Sequence, residues 1–127
     1  MKKAYLLSTI IGILFISCSQ QDKIEGFDEA KWRQDYNGCT NQRGELAKIL
    51  LKNKEKLKKY DDDAITALLG DPERNRQFER GKKNYIYFLY PGKQCLGSAL
   101  QKEGKKLVIE FDALGYPRII RESQIDY

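Results

Sequence analysis

The apolar positions change their spacing along the chain, and each change marks a new kind of element. Ala4 to Ile16 is a continuous apolar stretch, interrupted only by Ser8, Thr9 and Gly12, behind a positive Met1-Lys2-Lys3 start. Ser19 to Gly26 is polar without periodicity and reads as a flexible tether. Helical spacing begins after Phe27. Asp28 is placed to cap a short helix through Gln34 that carries Trp32, and Asn37-Gly38 ends it. From Asn41 to Lys59, residues Leu46, Ile49, Leu50 and Leu57 fall on one helical face, with lysines crowding the remainder as a solvated surface. Asp61-Asp62-Asp63 opens a further helix through Ile65, Leu68 and Leu69. Gly70 supplies the left-handed stop, and Pro72 forbids continuation.

Beyond Pro72 the pattern shortens. Glu73 to Lys83 is a charged connector, and Tyr85 to Tyr90 is a strand apolar on both faces. Pro91 to Gly104 is a loop containing Cys95. Leu107, Val108, Ile109 and Phe111 form a second strand, Asp112 to Gly115 a turn, and Tyr116 to Glu122 a third strand. Helices followed by a three-stranded antiparallel meander predict a two-layer α+β domain over residues 27–127.

The first 17 residues have the grammar of a secretory signal peptide: positive start, short apolar core, and small Ser17 at the cut. The apolar run is shorter than the roughly 20 residues a spanning helix needs. Leu14-Phe15-Ile16-Ser17-Cys18 resembles the lipobox of bacterial lipoproteins, in which cleavage falls before the cysteine and its thiol receives a diacylglycerol. That likeness implies lipidation of Cys18, a tether over 18–26, and a membrane partner reached through the lipid. Ser19, in place of the Asp that marks retention, points to the outer membrane, with the periplasmic face preferred over the cell surface.

Export changes how the other residues read. Loss of Lys2 and Lys3 lowers the net charge from +5 to +3, and an exported chain with so modest a balance is not expected to meet nucleic acid. Cys39 and Cys95 remain as a pair in an oxidising compartment, so a disulfide is expected, with two buried thiols as the alternative. With no histidine in the chain, two cysteines make a poor zinc site, and no cofactor is implied. The three consecutive aspartates are better explained as helix capping than as calcium ligands, which alternate around a glycine.

The segment from Leu57 to Pro72, with Tyr60, Asp61, Ile65 and Leu68-Leu69-Gly70-Asp71-Pro72, resembles the pattern of BamE/SmpA-type lipoprotein domains, which share a fold with β-lactamase-inhibitor-like proteins. Lys59-Tyr60-Asp61 stands where that family has Gly-Met-Ser or Gly-Met-Thr. Phe27-Asp28, Trp32, Cys39 and Cys95 are also similar to small Bacteroidota-type lipoproteins. The resemblance implies helices packed on a meander and a role in binding or scaffolding, the partner being another envelope protein or a cell-wall polymer.

No catalytic residue is assigned. Histidine, the commonest general base, is absent, and Asp71 and Glu110 are a conceivable carboxylate pair that nothing singles out. The expected function is therefore a non-catalytic envelope module. Its expected partner face is an exposed aromatic patch drawn from Tyr85, Tyr87, Phe88 and Tyr90, unless Phe27 and Trp32 fold over it. The alternative is an inhibitor of a secreted hydrolase that presents the Pro91–Gly104 loop.

Overall fold

The computed structural model describes residues 23–126; the expected signal segment 1–17 and the lipidation expected at Cys18 lie outside the described residues. Among the described residues four α-helices precede a four-stranded antiparallel sheet: α1 Glu29–Gln34, α2 Arg43–Lys52, α3 Lys54–Leu57, α4 Asp62–Leu69, then β1 Arg74–Gln77, β2 Lys83–Phe88, β3 Lys106–Phe111 and β4 Pro117–Ser123. The strands lie in the order β1-β2-β3-β4.

Local chemistry sets the helix ends as expected. The Asp28 side chain accepts from the Lys31 amide, and that of Asp61 accepts from Ala64 N at 2.8 Å. Gly70 closes α4 at φ 78°, a region that costs glycine little. The single helix expected over 41–59 is split. Asn53 N bonds to Ile49 O and Leu50 O while its side-chain amide also donates to Ile49 O, so the chain caps itself and restarts at Lys54. Leu46, Leu50 and Leu57 are buried across this break all the same.

Two further expectations are corrected. The connector after Pro72 contains a strand: Arg74 pairs opposite Ile86 and Gln77 opposite Lys83, making the meander four-stranded. Its charged residues carry no apolar alternation, and charge is how an edge strand resists pairing with other chains. The packed domain also begins before Phe27, because Ile24 is buried in the core.

That core lies between the helices and one face of the sheet. Trp32, Leu46, Leu50, Leu57, Ile65 and Leu69 meet Tyr85, Tyr87, Leu89, Leu107, Ile109, Phe111 and Ile120. On the opposite face Ile86, Phe88 and Val108 are also buried.

Candidate functional site

Of the four aromatic residues expected to form a partner face, three are buried. Tyr85 lies edge-on to Phe111 at 4.6 Å, and Tyr87 is 0% exposed beneath Trp32, whose ring lies 5.8 Å away. Phe27 packs outside Trp32 at 5.6 Å, so the covering alternative holds for this side of β2. Phe88 points to the other face and is 2% exposed, with Arg74 and Lys106 over its ring at 5.2 and 5.5 Å. The exposed aromatic patch is thus corrected: β2 is an inner strand, and both its faces are used in packing. Only Tyr90, just past the end of β2, is half-buried.

Next to that end of β2 lies a dense polar cluster that sequence reasoning missed. Asp35 is fully buried, and its carboxylate accepts from Thr40 N, Thr40 Oγ1, Gln42 N and Arg43 N at 2.7–2.9 Å. Burial alone raises its pKa, but these hydrogen bonds outweigh that and hold the carboxyl below its usual range. Arg43 donates to Trp32 O at 2.9 Å, to Phe88 O at 3.2 Å and to Glu73, and its guanidinium lies 4.8 Å over the Trp32 ring. Glu73 also accepts from Asn37 N at 2.9 Å, Trp32 Nε1 donates to Leu69 O, and Tyr87 OH donates to Gly70 O. Burial raises the Tyr87 pKa far above the ordinary phenol value.

A buried acid, arginine and tyrosine together invite a catalytic reading. Their partners argue for structure. The Asp35 carboxylate is occupied by the first turn of α2, and Arg43 by two carbonyls and a carboxylate. Only Glu73 Oε2 is buried without a partner among the described residues. Asp71 is exposed and Glu110 pairs with Arg121 at 3.0 Å, so neither conceivable glycosidase carboxylate joins this cluster.

The accessible feature is a groove on the far side of the disulfide. Cys39 and Cys95 are bonded with their Cα atoms 5.8 Å apart, tying the loop after β2 to the turn before α2. Gln94 locks the loop from within: its amide donates to Asn37 O and Tyr90 O, and its carbonyl accepts from Gly104 N at 3.0 Å. The two arms of the loop approach so closely that a Cβ on Gly104 would overlap Tyr90 O, and one on Gly92 would overlap Gly104 N. Glycine is required at both places by contact, whatever the backbone angles.

Between these arms and the C-terminal segment lies an open cavity of about 640 Å³, lined by Tyr90, Pro91, Leu100, Lys102, Lys105 and Gln124 among others. Leu100 is 55% exposed beside it, and Leu96, next to Cys95, is fully exposed. Lys105 lies 5.8 Å over the Tyr90 ring and pairs with Glu122 at 3.3 Å. A second polar network fixes the rim. Glu103 is buried and bound by Arg74 and by Lys106 at 3.0 Å, and Lys106 also donates to Ile125 O at 2.9 Å. Burial raises the Glu103 pKa, but hydrogen bonds from Arg74 and Lys106 bring it below the usual value. The groove therefore has an apolar floor, fixed walls and a basic rim.

The disulfide was legible from cysteine counting, whereas the groove was not. The two glycines flanking a cysteine-pinned loop are the signal that would have found it. Among the described residues no three acidic, histidine or cysteine side chains come together as metal ligands, and no helix is long and apolar enough to cross a membrane. Comparison with known proteins returns no matching family model, no similar curated protein and no similar solved structure.

Proposed function

We propose that this chain is an outer-membrane lipoprotein, anchored through Cys18, whose domain is a non-catalytic binding or scaffolding module of the cell envelope. The observation that carries the binding role is the groove at Tyr90, Leu100, Lys102 and Lys105, with exposed leucines on a rigid support. An apolar surface held by a disulfide and by buried ion pairs is ready for a partner at low ordering cost. The signal segment and the Leu14–Cys18 box support the anchor, and a Cys39–Cys95 bridge suits an oxidising compartment. The BamE/SmpA-like segment from Leu57 to Pro72 supports a scaffolding role of the same kind.

Two measurements test this. The intact mass of the mature protein is expected to begin at an acylated Cys18, and a different start or an unmodified thiol would remove the anchor. A photo-crosslinking amino acid at Gln101, which lines the groove, is expected to capture a discrete envelope partner, whereas one at the exposed Leu114 turn captures none. Identical crosslinking from both positions would remove the groove as the binding site.

Full exposure of Leu96 beside the pinned Cys95 favours one second reading, an inhibitor that inserts this loop into the cleft of a secreted hydrolase. Inhibition of any member of a protease and lactamase panel, lost in Leu96→Asp, would move the assignment there.

A further inference from the structure

The segment from Lys48 to Lys59 holds six lysines and one acidic residue, Glu55. Lys48 pairs with Glu45 at 2.7 Å and Lys58 with Glu55 at 2.9 Å, while Lys52, Lys54 and Lys59 are exposed with no ion pair among the described residues. Lys52 stands at the C-terminal turn of α2, where the helix dipole favours a cation. The same account extends to Lys54 and Lys56 in the single turn of α3, and it does not extend to Lys59. Lys54 and Lys58 are four residues apart across α3 and its C-cap, a spacing at which like charges on a helix repel. Two of the six lysines are neutralised by ion pairs, and Lys52, Lys54 and Lys59 keep their charge at the surface.

The position of this charge supplies the second observation. The first described residues run against the same end of the helices: Lys56 Nζ donates to Lys23 O at 2.8 Å, Ile24 is buried, and Gly26 lies opposite Ile49. Lys23 adds another exposed cation. The chain thus enters the domain at its lysine-rich end. Lys23 stands five positions after Cys18, a span of about 17 Å at full stretch.

We propose that Lys23, Lys52, Lys54, Lys56 and Lys59 form a second membrane contact, a site for the anionic headgroups of the bilayer that holds the lipid. The inference rests on acylation of Cys18 and adds an orientation to it. Basic side chains held this near a membrane are drawn to anionic lipid, over a range of about one Debye length of 8 Å in physiological salt. The groove begins at the other end of α2, where Gly44 underlies the Tyr90 ring, and a ten-residue helix is about 15 Å long. Lysines against the headgroups therefore leave the groove facing away from the membrane.

The test uses the purified, acylated full-length product reconstituted into vesicles of phosphatidylcholine alone or with phosphatidylglycerol. Lysine reactivity toward an amine-acylating reagent is then read residue by residue by mass spectrometry. Lys52, Lys54 and Lys59 are expected to lose about threefold or more in reactivity on the anionic vesicles only, and to regain it in high salt. Lys82 and Lys102, exposed elsewhere on the domain, stay unchanged. Equal reactivity on both vesicle types, or uniform protection of every lysine, overturns the site while leaving the anchor intact. An intact mass without acyl chains overturns both, so the two failures are distinguishable.

Discussion

Cys39 and Cys95 join two regions that treat their polar and apolar groups in opposite ways. On the Cys39 side, Asp35, Arg43 and Glu73 are drawn inside, and the rings of Trp32 and Tyr87 lie against the Arg43 guanidinium. On the Cys95 side, the backbone is held just as firmly by Gln94, Gly92 and Gly104, yet Leu96 and Leu100 face solvent. The first region resembles an active site in its residue types, but its groups are occupied in holding the fold. The second has ordinary chemistry and an accessible surface. Burial and hydrogen-bond occupancy, more than residue type, separate a group that stabilises from one that can act on another molecule.

The contrast predicts large stability effects on the Cys39 side. Arg43→Met leaves Glu73 buried without a counter-charge, held only by the Asn37 amide, and removing one partner of a buried ion pair costs about 3–5 kcal/mol. Urea unfolding should show this as a lower midpoint with an unchanged slope. The double variant Arg43→Met/Glu73→Leu should recover much of the loss, because it removes the stranded charge as well. A loss below about 1 kcal/mol for the single variant would mean that water reaches the pair, and the region would then need reconsidering as a site.

Breaking the link between the regions comes next. Replacing Cys39 and Cys95 together by serine is expected to cost about 2–4 kcal/mol, since the bridge spans a sequence separation of 56 residues. The comparison is sharpened by where the damage falls. Amide exchange should quicken throughout residues 92–104, whereas Asp35 keeps its local hydrogen bonds to Thr40 and Gln42.

A smaller effect is expected at Asp35 itself. Asp35→Asn replaces a charge-assisted cap of α2 with a neutral one that also brings surplus donors into a buried place, at about 1–3 kcal/mol. The ionised carboxylate is favoured in the folded protein, so its contribution is complete above the unfolded pKa of 3.8 and fades as pH falls through the lower folded value. Glu103 and Asp62 are shifted in the same direction: in Glu103 burial is overcome by hydrogen bonds from Arg74 and Lys106, and Asp62 is lowered first by Lys83. Thermal stability should therefore be flat near neutrality and fall on acidification below about pH 4–5, less steeply in the Asn variant.

How far these regions could be read from sequence follows from the range of the interactions that make them. Asp28 and Asp61 capping, the Gly70 stop, and strands β2 to β4 depend on neighbours a few residues away, and all were legible. The Asn53 break was missed because a side chain bonding its own backbone leaves the apolar period intact. Strand β1 was missed because an edge strand of Arg74, Asn75, Arg76 and Gln77 is defined by pairing with β2 and by nothing in its own pattern. The Arg43–Glu73 pair spans 30 residues, and no periodicity connects them. Aromatic strand β2 misled for the converse reason: its pattern is apolar on both faces, which fits an exposed patch and an inner strand equally.

The smallest stability effect belongs to the position expected to matter most for binding. Leu100 is 55% exposed, and its backbone amide donates to Ser98 Oγ, a bond that a side-chain change leaves in place. Leu100→Glu should therefore shift stability by no more than about 0.5 kcal/mol. In the groove, the same change puts a carboxylate beside Tyr90 and Pro91, where a partner's apolar surface would have to desolvate it. Capture of a partner by a crosslinker at Gln101 should fall steeply while the melting temperature stays fixed. If capture persists at the parental level, binding does not use this groove, and the exposed leucines are only the outer surface of a braced loop.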